Sequence, residues 1–247
     1  MNKYNIFKKL IIFAGVLLII PSCKKDFLKE ELTTASNNEF YKTDAGIQQL
    51  AVGTYYQVFE VPTNGEWYYC ATNYGTDEFH IGGDPSNSPW NNYDPTFNPA
   101  LATNGNLQGV NNQWDALYIG IGDANLLIQN ATNSTSTSDA VKKTSLGEGY
   151  FMRAYCYLRL VSQFGAVPLK LSPSTTVELE FTRQDPKAIY DQIVKDLQQA
   201  SNLLPISGGP YRITKDAASH FLAKAYLILP VSIQQMKRCR KSFFLLN

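Results

Sequence analysis

The stretch EGYFMRAYCYLRLVSQFGAVPL, residues Glu148–Leu169, decides how the chain is read. Phe151, Ala154, Tyr155, Leu158, Val161 and Phe164 recur at three- and four-residue steps, which places them on one face of a helix about four turns long. Gly165 can adopt the left-handed conformation that closes a helix, and Pro168 forbids its continuation, so the stop is sharp. Small Ala154 beside Tyr155, Tyr157 and Phe164 suits close contact with another helix.

Outward from this helix the same periodicity returns. Ile47, Leu50, Ala51, Thr54, Tyr55 and Val58 share a face of a helix over Ala45–Phe59, with Thr43 or Asp44 as its starting residue. Trp114, Leu117, Tyr118, Ile121, Ala124, Leu127 and Ile128 do the same over Trp114–Ala131, where Gly120 and Gly122 allow another helix to come close. The polar run Asn133–Asp139 connects it to the central helix. Asp185-Pro186 opens a helix carrying Ile189, Ile193, Val194, Leu197, Ala200 and Leu204 down to Pro205. Thr214 opens the next one, through Ala218, Phe221, Leu222, Ala225 and Leu229. Between these pairs, Ser172–Arg183, with Thr175, Thr176 and Val177, reads as an extended excursion.

Two segments break the pattern. Val61–Asn112 is rich in Gly, Asn, Pro and aromatics and dense in turn signals, such as Asn64-Gly65 and Gly82-Gly83-Asp84-Pro85. A loop of this length in a compact domain points to a binding role. Trp67, Tyr68, Tyr69, Trp90 and Tyr93, with Asn73, Asp77, Asn91 and Asn92 nearby, form a set able to stack on the C–H faces of sugar rings and to orient hydroxyls. The same aromatics could equally serve to pack the loop onto the helices.

The other exception is the start. Lys3, Lys8 and Lys9 precede an unbroken run of eleven residues, Leu10–Ile20, without a polar side chain. That is short of the roughly 20 residues a membrane span needs and suits the core of a secretory signal. It ends in Ile20-Pro21-Ser22-Cys23, which resembles a bacterial lipobox, with Pro21 where a smaller residue is more usual. On that reading residues 1–22 are removed and Cys23 carries the lipid anchor. An ordinary signal peptide with a chance cysteine is the alternative.

From Cys23 to Leu229 the chain has 15 basic and 21 acidic residues, so a nucleic-acid partner is not expected. About 225 residues remain after a cleavage before Cys23, enough for a real core. Cys70, Cys156 and Cys239 form no CxxC pair, and only His80 and His220 supply imidazoles, so neither a metal site nor a disulfide framework is expected. Cys156 reads as a small buried apolar residue. Asp77, Glu78, Asp84 and Asp94 could in principle supply a glycosidase acid and base. No nucleophile elbow, phosphate loop or metal motif accompanies them. Gly147-Glu148-Gly149 lacks the third glycine and the preceding strand of a dinucleotide site. An enzyme is not expected, nor a cofactor.

Ile193, Leu197, Ala200 and Pro205 have the spacing of the second helix of a tetratricopeptide-type repeat. Leu222, Ala223 and Tyr226 have that of the first, which Ala154 and Tyr157 echo in part. Generic helical hairpins give such matches too. The fold class expected is mainly α, a tetratricopeptide-like scaffold of helical pairs with a long aromatic-rich loop excursion.

Taken in order, Cys23, Asp26-Phe27-Leu28, Arg153-Ala154-Tyr155 in the central helix, Tyr190-Asp191-Gln192-Ile193 leading to Asn202-Leu203-Leu204-Pro205, and Arg212-Ile213-Thr214-Lys215 with Ala223-Lys224-Ala225-Tyr226 resemble the SusD/RagB family. The resemblance covers most of 23–229. It implies a lipid-anchored outer-membrane protein, facing outward, that captures glycans or other nutrients for a TonB-dependent, SusC-like transporter. A helical-repeat interaction scaffold without sugar binding is the alternative. The family's ligand positions vary, so none carries over. Family members also continue into a second, loop-rich half. Residues 230–247, PVSIQQMKRCRKSFFLLN, instead turn basic and resemble nothing in the family. The expectation is a frameshifted or truncated product, with a native amphipathic tail as the alternative.

Overall fold

A computed structural model describes residues 40–60, 73–80, 82–83, 91–94, 108–174, 176, 178–209 and 211–228. Residues 1–22, Cys23, Trp67, Tyr68, Tyr69, Trp90 and 230–247 lie outside the described residues, and of the expected aromatic set only Tyr93 lies within them.

The described residues are helical, with a single isolated antiparallel bridge between Val167 and Gln184. After a one-turn 3₁₀ segment at Phe40–Lys42, helix α1 runs Asp44–Tyr55 and continues into a π-helical turn at Tyr56–Glu60. Helix α2 runs Gln108–Asn133, α3 Asp139–Phe164 and α4 Pro186–Leu203, and residues 215–228 form α5. Among the described residues no helix is long and apolar enough to cross a membrane.

Each start has a local cause. Thr43 caps α1, its Oγ1 accepting from the Gly46 amide at 3.1 Å. Asp185 caps α4 by accepting from the Lys187 amide at 2.8 Å, with Pro186 in the first turn. Ser138 makes no side-chain cap for α3; both its amide and its hydroxyl donate to the Asp44 carboxylate at 2.7 Å. The first turn of α1 thereby also organises the start of α3. Gly165 closes α3 at φ +68°, its amide donating to the Val161 carbonyl at 3.1 Å.

Helix α3 is the centre, packed against α1, α2 and α4. The sequence reading gives it one apolar face. In the structure Met152, Cys156, Tyr157 and Leu160 are buried alongside Phe151, Ala154, Leu158 and Val161, while Tyr155 and Phe164 are only half-buried. A helix enclosed on several sides must be apolar on several sides. Close approach is paid for in glycine: a Cβ on Gly147 would lie 2.8 Å from Cγ of Leu204, and one on Gly149 2.8 Å from Cγ1 of Ile128. The Gly-Glu-Gly run is thus a helix-crossing feature. Gly120 works the same way, with a hypothetical Cβ 3.2 Å from Sγ of Cys156. Gly122 does not; nothing lies within 4 Å of where its Cβ would be.

On α4, Ile193, Leu197 and Ala200 are buried as the repeat spacing requires. On α5, Ala218 and Ala225 are buried, whereas Ala223 is exposed and Tyr226 is 48% exposed. No described element covers that side of α5, so the large-small-aromatic spacing there meets no groove. The Tyr226 hydroxyl accepts from Gln198 on α4 at 2.9 Å.

Two buried charge clusters tie the helices together. On α3, Glu148 is fully buried and accepts from Nε and Nη2 of Arg212 at 2.7 Å each, and from the Tyr55 hydroxyl of α1 at 3.0 Å. Tyr55 in turn accepts from the Ile213 amide at 2.8 Å. Also on α3, Arg153 donates from Nε and Nη2 to Asp196 of α4 at 2.8 and 2.7 Å. Its Nη1 donates to Asn125 of α2 at 2.8 Å. Buried ions are tolerable only when so fully partnered.

Candidate functional site

The segment after α3 is held by side chains. The Tyr118 hydroxyl donates to the Pro168 carbonyl at 2.7 Å, and Nδ2 of Asn125 donates to the carbonyls of Lys170 at 3.2 Å and Ser172 at 3.3 Å. The Tyr157 hydroxyl accepts from the Lys170 amide at 2.6 Å and donates to the Lys170 carbonyl at 2.9 Å. Arg153 Nη1 adds a bond to the Leu171 carbonyl at 3.2 Å. The extended excursion expected at Ser172–Arg183 is non-helical where described, and the Gln184 amide returns to the Val167 carbonyl at 2.9 Å.

Between this excursion and α2 lies a groove of about 310 Å³. That is at the lower end of the roughly 300–1,000 Å³ typical of small-ligand clefts. Trp114, Tyr118 and Phe181 give it aromatic surface, and the missing side chain of Gly122 leaves it open at the helix. Lys170, Ser172 and Ser174 supply polar groups along the opposite wall. Trp114 is fixed by rings, 5.0 Å from Tyr118 and 5.0 Å edge-to-face with Phe164. Phe181 is 55% exposed, with the Lys170 ammonium 4.7 Å from its centroid. The same ammonium is ion-paired with Glu178.

Burial raises the pKa of the Tyr118 phenol well above its ordinary value, so it remains a neutral donor. The arrangement offers apolar ring faces beside hydroxyl and ammonium groups, the chemistry that receives a polyol with an apolar side. Among the described residues that line it, no nucleophile–base pair is assembled.

Tyr93 lies on a separate turn. It is 72% exposed and sits at φ +51°, a left-handed conformation uncommon for a bulky residue. Its hydroxyl donates to the Gly75 carbonyl, and the ring lies so near Gly75, at φ +79°, that a Cβ there would meet it at 2.9 Å. The ring is thus pinned at its hydroxyl end against Gly75 while staying largely exposed. Their periodicity puts Trp114 and Tyr118 on a core-facing helix, and nothing local in the sequence joins them to Phe181. Their half-buried state and the gap at Gly122 emerge only when the 168–181 segment is laid across α2.

A family model described as starch-binding and associating with the outer membrane, SusD-like, matches residues 26–227. Similar curated proteins include the SusD-like proteins P25 and P2 of Formosa agariphila. P25 is 25% identical over 78% of this chain and 37% of its own length, and P2 is 27% identical over 92% and 43%. A SusD-like protein of Bacteroides ovatus is 26% identical over 89% of this chain and 39% of its own. The chain thus spans about two fifths of the length of the curated relatives it matches.

Among solved structures, a SusD superfamily protein of Bacteroides vulgatus aligns with a TM-score of 0.66 at 20% identity, covering 76% of this chain and 40% of that one. A laminarin-binding SusD-like protein aligns at 0.61 and 24%, over 74% and 40%. A crystal structure with xylogluco-oligosaccharide aligns at 0.57 and 21%, over 73% and 34%. The fold is therefore that of SusD-like proteins, tetratricopeptide-like and mainly α. With the family model spanning nearly every described helix, the chain belongs to the SusD-like family.

Proposed function

We propose that this chain binds oligosaccharides without catalysis, at the outer membrane, and passes them to a TonB-dependent, SusC-like transporter. The observation that carries the reading is the groove in which Trp114, Tyr118 and Phe181 stand beside Lys170, Ser172 and Ser174, in a chain of this family. Similar folds described as laminarin-binding, or crystallised with a xylogluco-oligosaccharide, support a saccharide ligand. The exposed Tyr93 ring offers further stacking surface, and the same role is assigned to Trp67, Tyr68, Tyr69 and Trp90 from the sequence alone. Cys23, lipidated after removal of residues 1–22, anchors the protein.

Gly122→Leu tests the groove. The Cβ position at Gly122 is open and Gly122 lines the groove, so the larger side chain is expected to fill the groove with the fold retained, which circular dichroism checks. Isothermal titration with laminarin and xyloglucan oligosaccharides should show at least a tenfold weaker Kd for this variant. Unchanged affinity in the folded variant, and in Trp67→Ala/Trp90→Ala, would reject saccharide binding at both loci. Metabolic labelling with palmitate should mark the wild type and not Cys23→Ser; equal labelling would reject the anchor.

A further inference from the structure

We infer that the groove selects an anionic saccharide, one bearing carboxylate or sulfate groups, through Arg183 at its aromatic end; this rests on saccharide binding in that groove. The Arg183 guanidinium lies over the Trp114 ring, 6.0 Å from its centroid. It is exposed, and no carboxylate pairs with it among the described residues. Its charge reaches the neighbouring Tyr118, where it opposes the effect of burial on the phenol. Lys170 also lies along the groove, its ammonium neutralised by Glu178.

Among the described residues, none that lines the groove is acidic. Glu178 and Lys170 neutralise each other, and Glu180, like Arg183, stands outside the lining itself. This is a departure from the rest of the chain. Residues 23–229 carry six more acidic than basic residues, so a described lining without an acid, beside an Arg183 that no described carboxylate neutralises, runs against the overall charge. An unpaired guanidinium beside an indole offers planar donors to a carboxylate or sulfate while the ring stacks on the sugar. A neutral glycan would use the rings and leave Arg183 idle.

The test compares Kd values for four probes of matched length at low and moderate salt: an oligogalacturonate, a sulfated galactan oligosaccharide, a laminarin oligosaccharide and a polyglutamate peptide. The inference expects an anionic saccharide to bind at least fivefold tighter than laminarin, with a preference that shrinks as salt rises. Which of the two anionic probes binds identifies the group. Arg183→Gln should abolish the preference, and Lys187→Gln, a cation on α4 paired with Asp191, should leave it intact. Laminarin binding without an anionic preference, or a preference that survives Arg183→Gln, overturns the inference and leaves saccharide binding standing. Polyglutamate binding as tightly as the saccharides also overturns it, in favour of a protein-docking site. Binding of none of the saccharides rejects the functional reading itself.

Discussion

Arg153 and Asp196 meet in a two-bonded pair at 2.8 and 2.7 Å, with Arg153 5% and Asp196 1% exposed. The pair clamps α3 to α4, and the same guanidinium holds Asn125 of α2 and the Leu171 carbonyl. Asp196→Ala leaves a buried cation, so a loss of about 3–5 kcal/mol is expected in urea unfolding. Asp196→Leu combined with Arg153→Met should lose less than the single variant. A double variant less stable than Asp196→Ala would show that the pair stabilises beyond charge balance.

Tyr55, Tyr118 and Tyr157 all have phenol pKa values raised first of all by burial, and for Tyr55 the Glu148 carboxylate adds to it. A phenol with a raised folded pKa keeps its proton after the unfolded chain has released it. Its contribution is whole below the unfolded value near 10 and is lost as pH rises beyond it. The buried Cys156 thiol, raised to about 12, adds a loss of the same sign, so stability should decline from about pH 9 as the unfolded thiol ionises, and more steeply above about pH 10. Tyrosinate absorbance followed against pH should rise for these phenols only as the protein unfolds; their ionisation in a still-folded protein would refute the assignment.

Cys156 is fully buried on α3, and burial pushes its thiol up to about 12. Because the thiolate is the reactive form, iodoacetamide at pH 8 should leave it unmodified in the native protein and label it in urea. Peptide mass spectrometry reads both states. Native labelling at the urea rate would mean that α3 opens readily.

Gly147 and Gly122 are both helical glycines, yet alanine should act on them with opposite sign. At Gly147 a Cβ falls 2.8 Å from Cγ of Leu204 and 3.2 Å from Cβ of Leu203, an overpacking that costs about 1–3 kcal/mol. At Gly122 the methyl meets open space, and the better helix propensity of alanine stabilises by up to about 1 kcal/mol. Thermal melts of the two variants should move apart, Gly147→Ala down and Gly122→Ala up.

Much of the scaffold could be read from residues alone because its signals are local. Thr43, Asp185-Pro186, Thr214 and Gly165 mark boundaries through bonds to their own neighbours, and the structure places them at those boundaries. Where the outcome depended on partners distant in sequence, the reading fell short. Met152 and Leu160 lie off the apolar face of α3 and are buried because the helix has neighbours on several sides. Glu148 and Arg153 look like solvent residues until Arg212 and Asp196 arrive from 64 and 43 residues away. The groove is the extreme case, since Phe181 and Trp114 share it only through the pinned path of Pro168–Ser172.

The Val167–Gln184 bridge has a consequence for how such proteins diversify. It closes the excursion at its base, while Tyr118, Asn125, Tyr157 and Arg153 anchor its first residues from outside. With both ends secured, the intervening stretch is an exchangeable cassette. Lengthening it adds little closure entropy, and rewriting it leaves the helical core intact. One wall of the groove can therefore evolve at its own pace, while Trp114 and Tyr118 on α2 stay bound to the demands of packing.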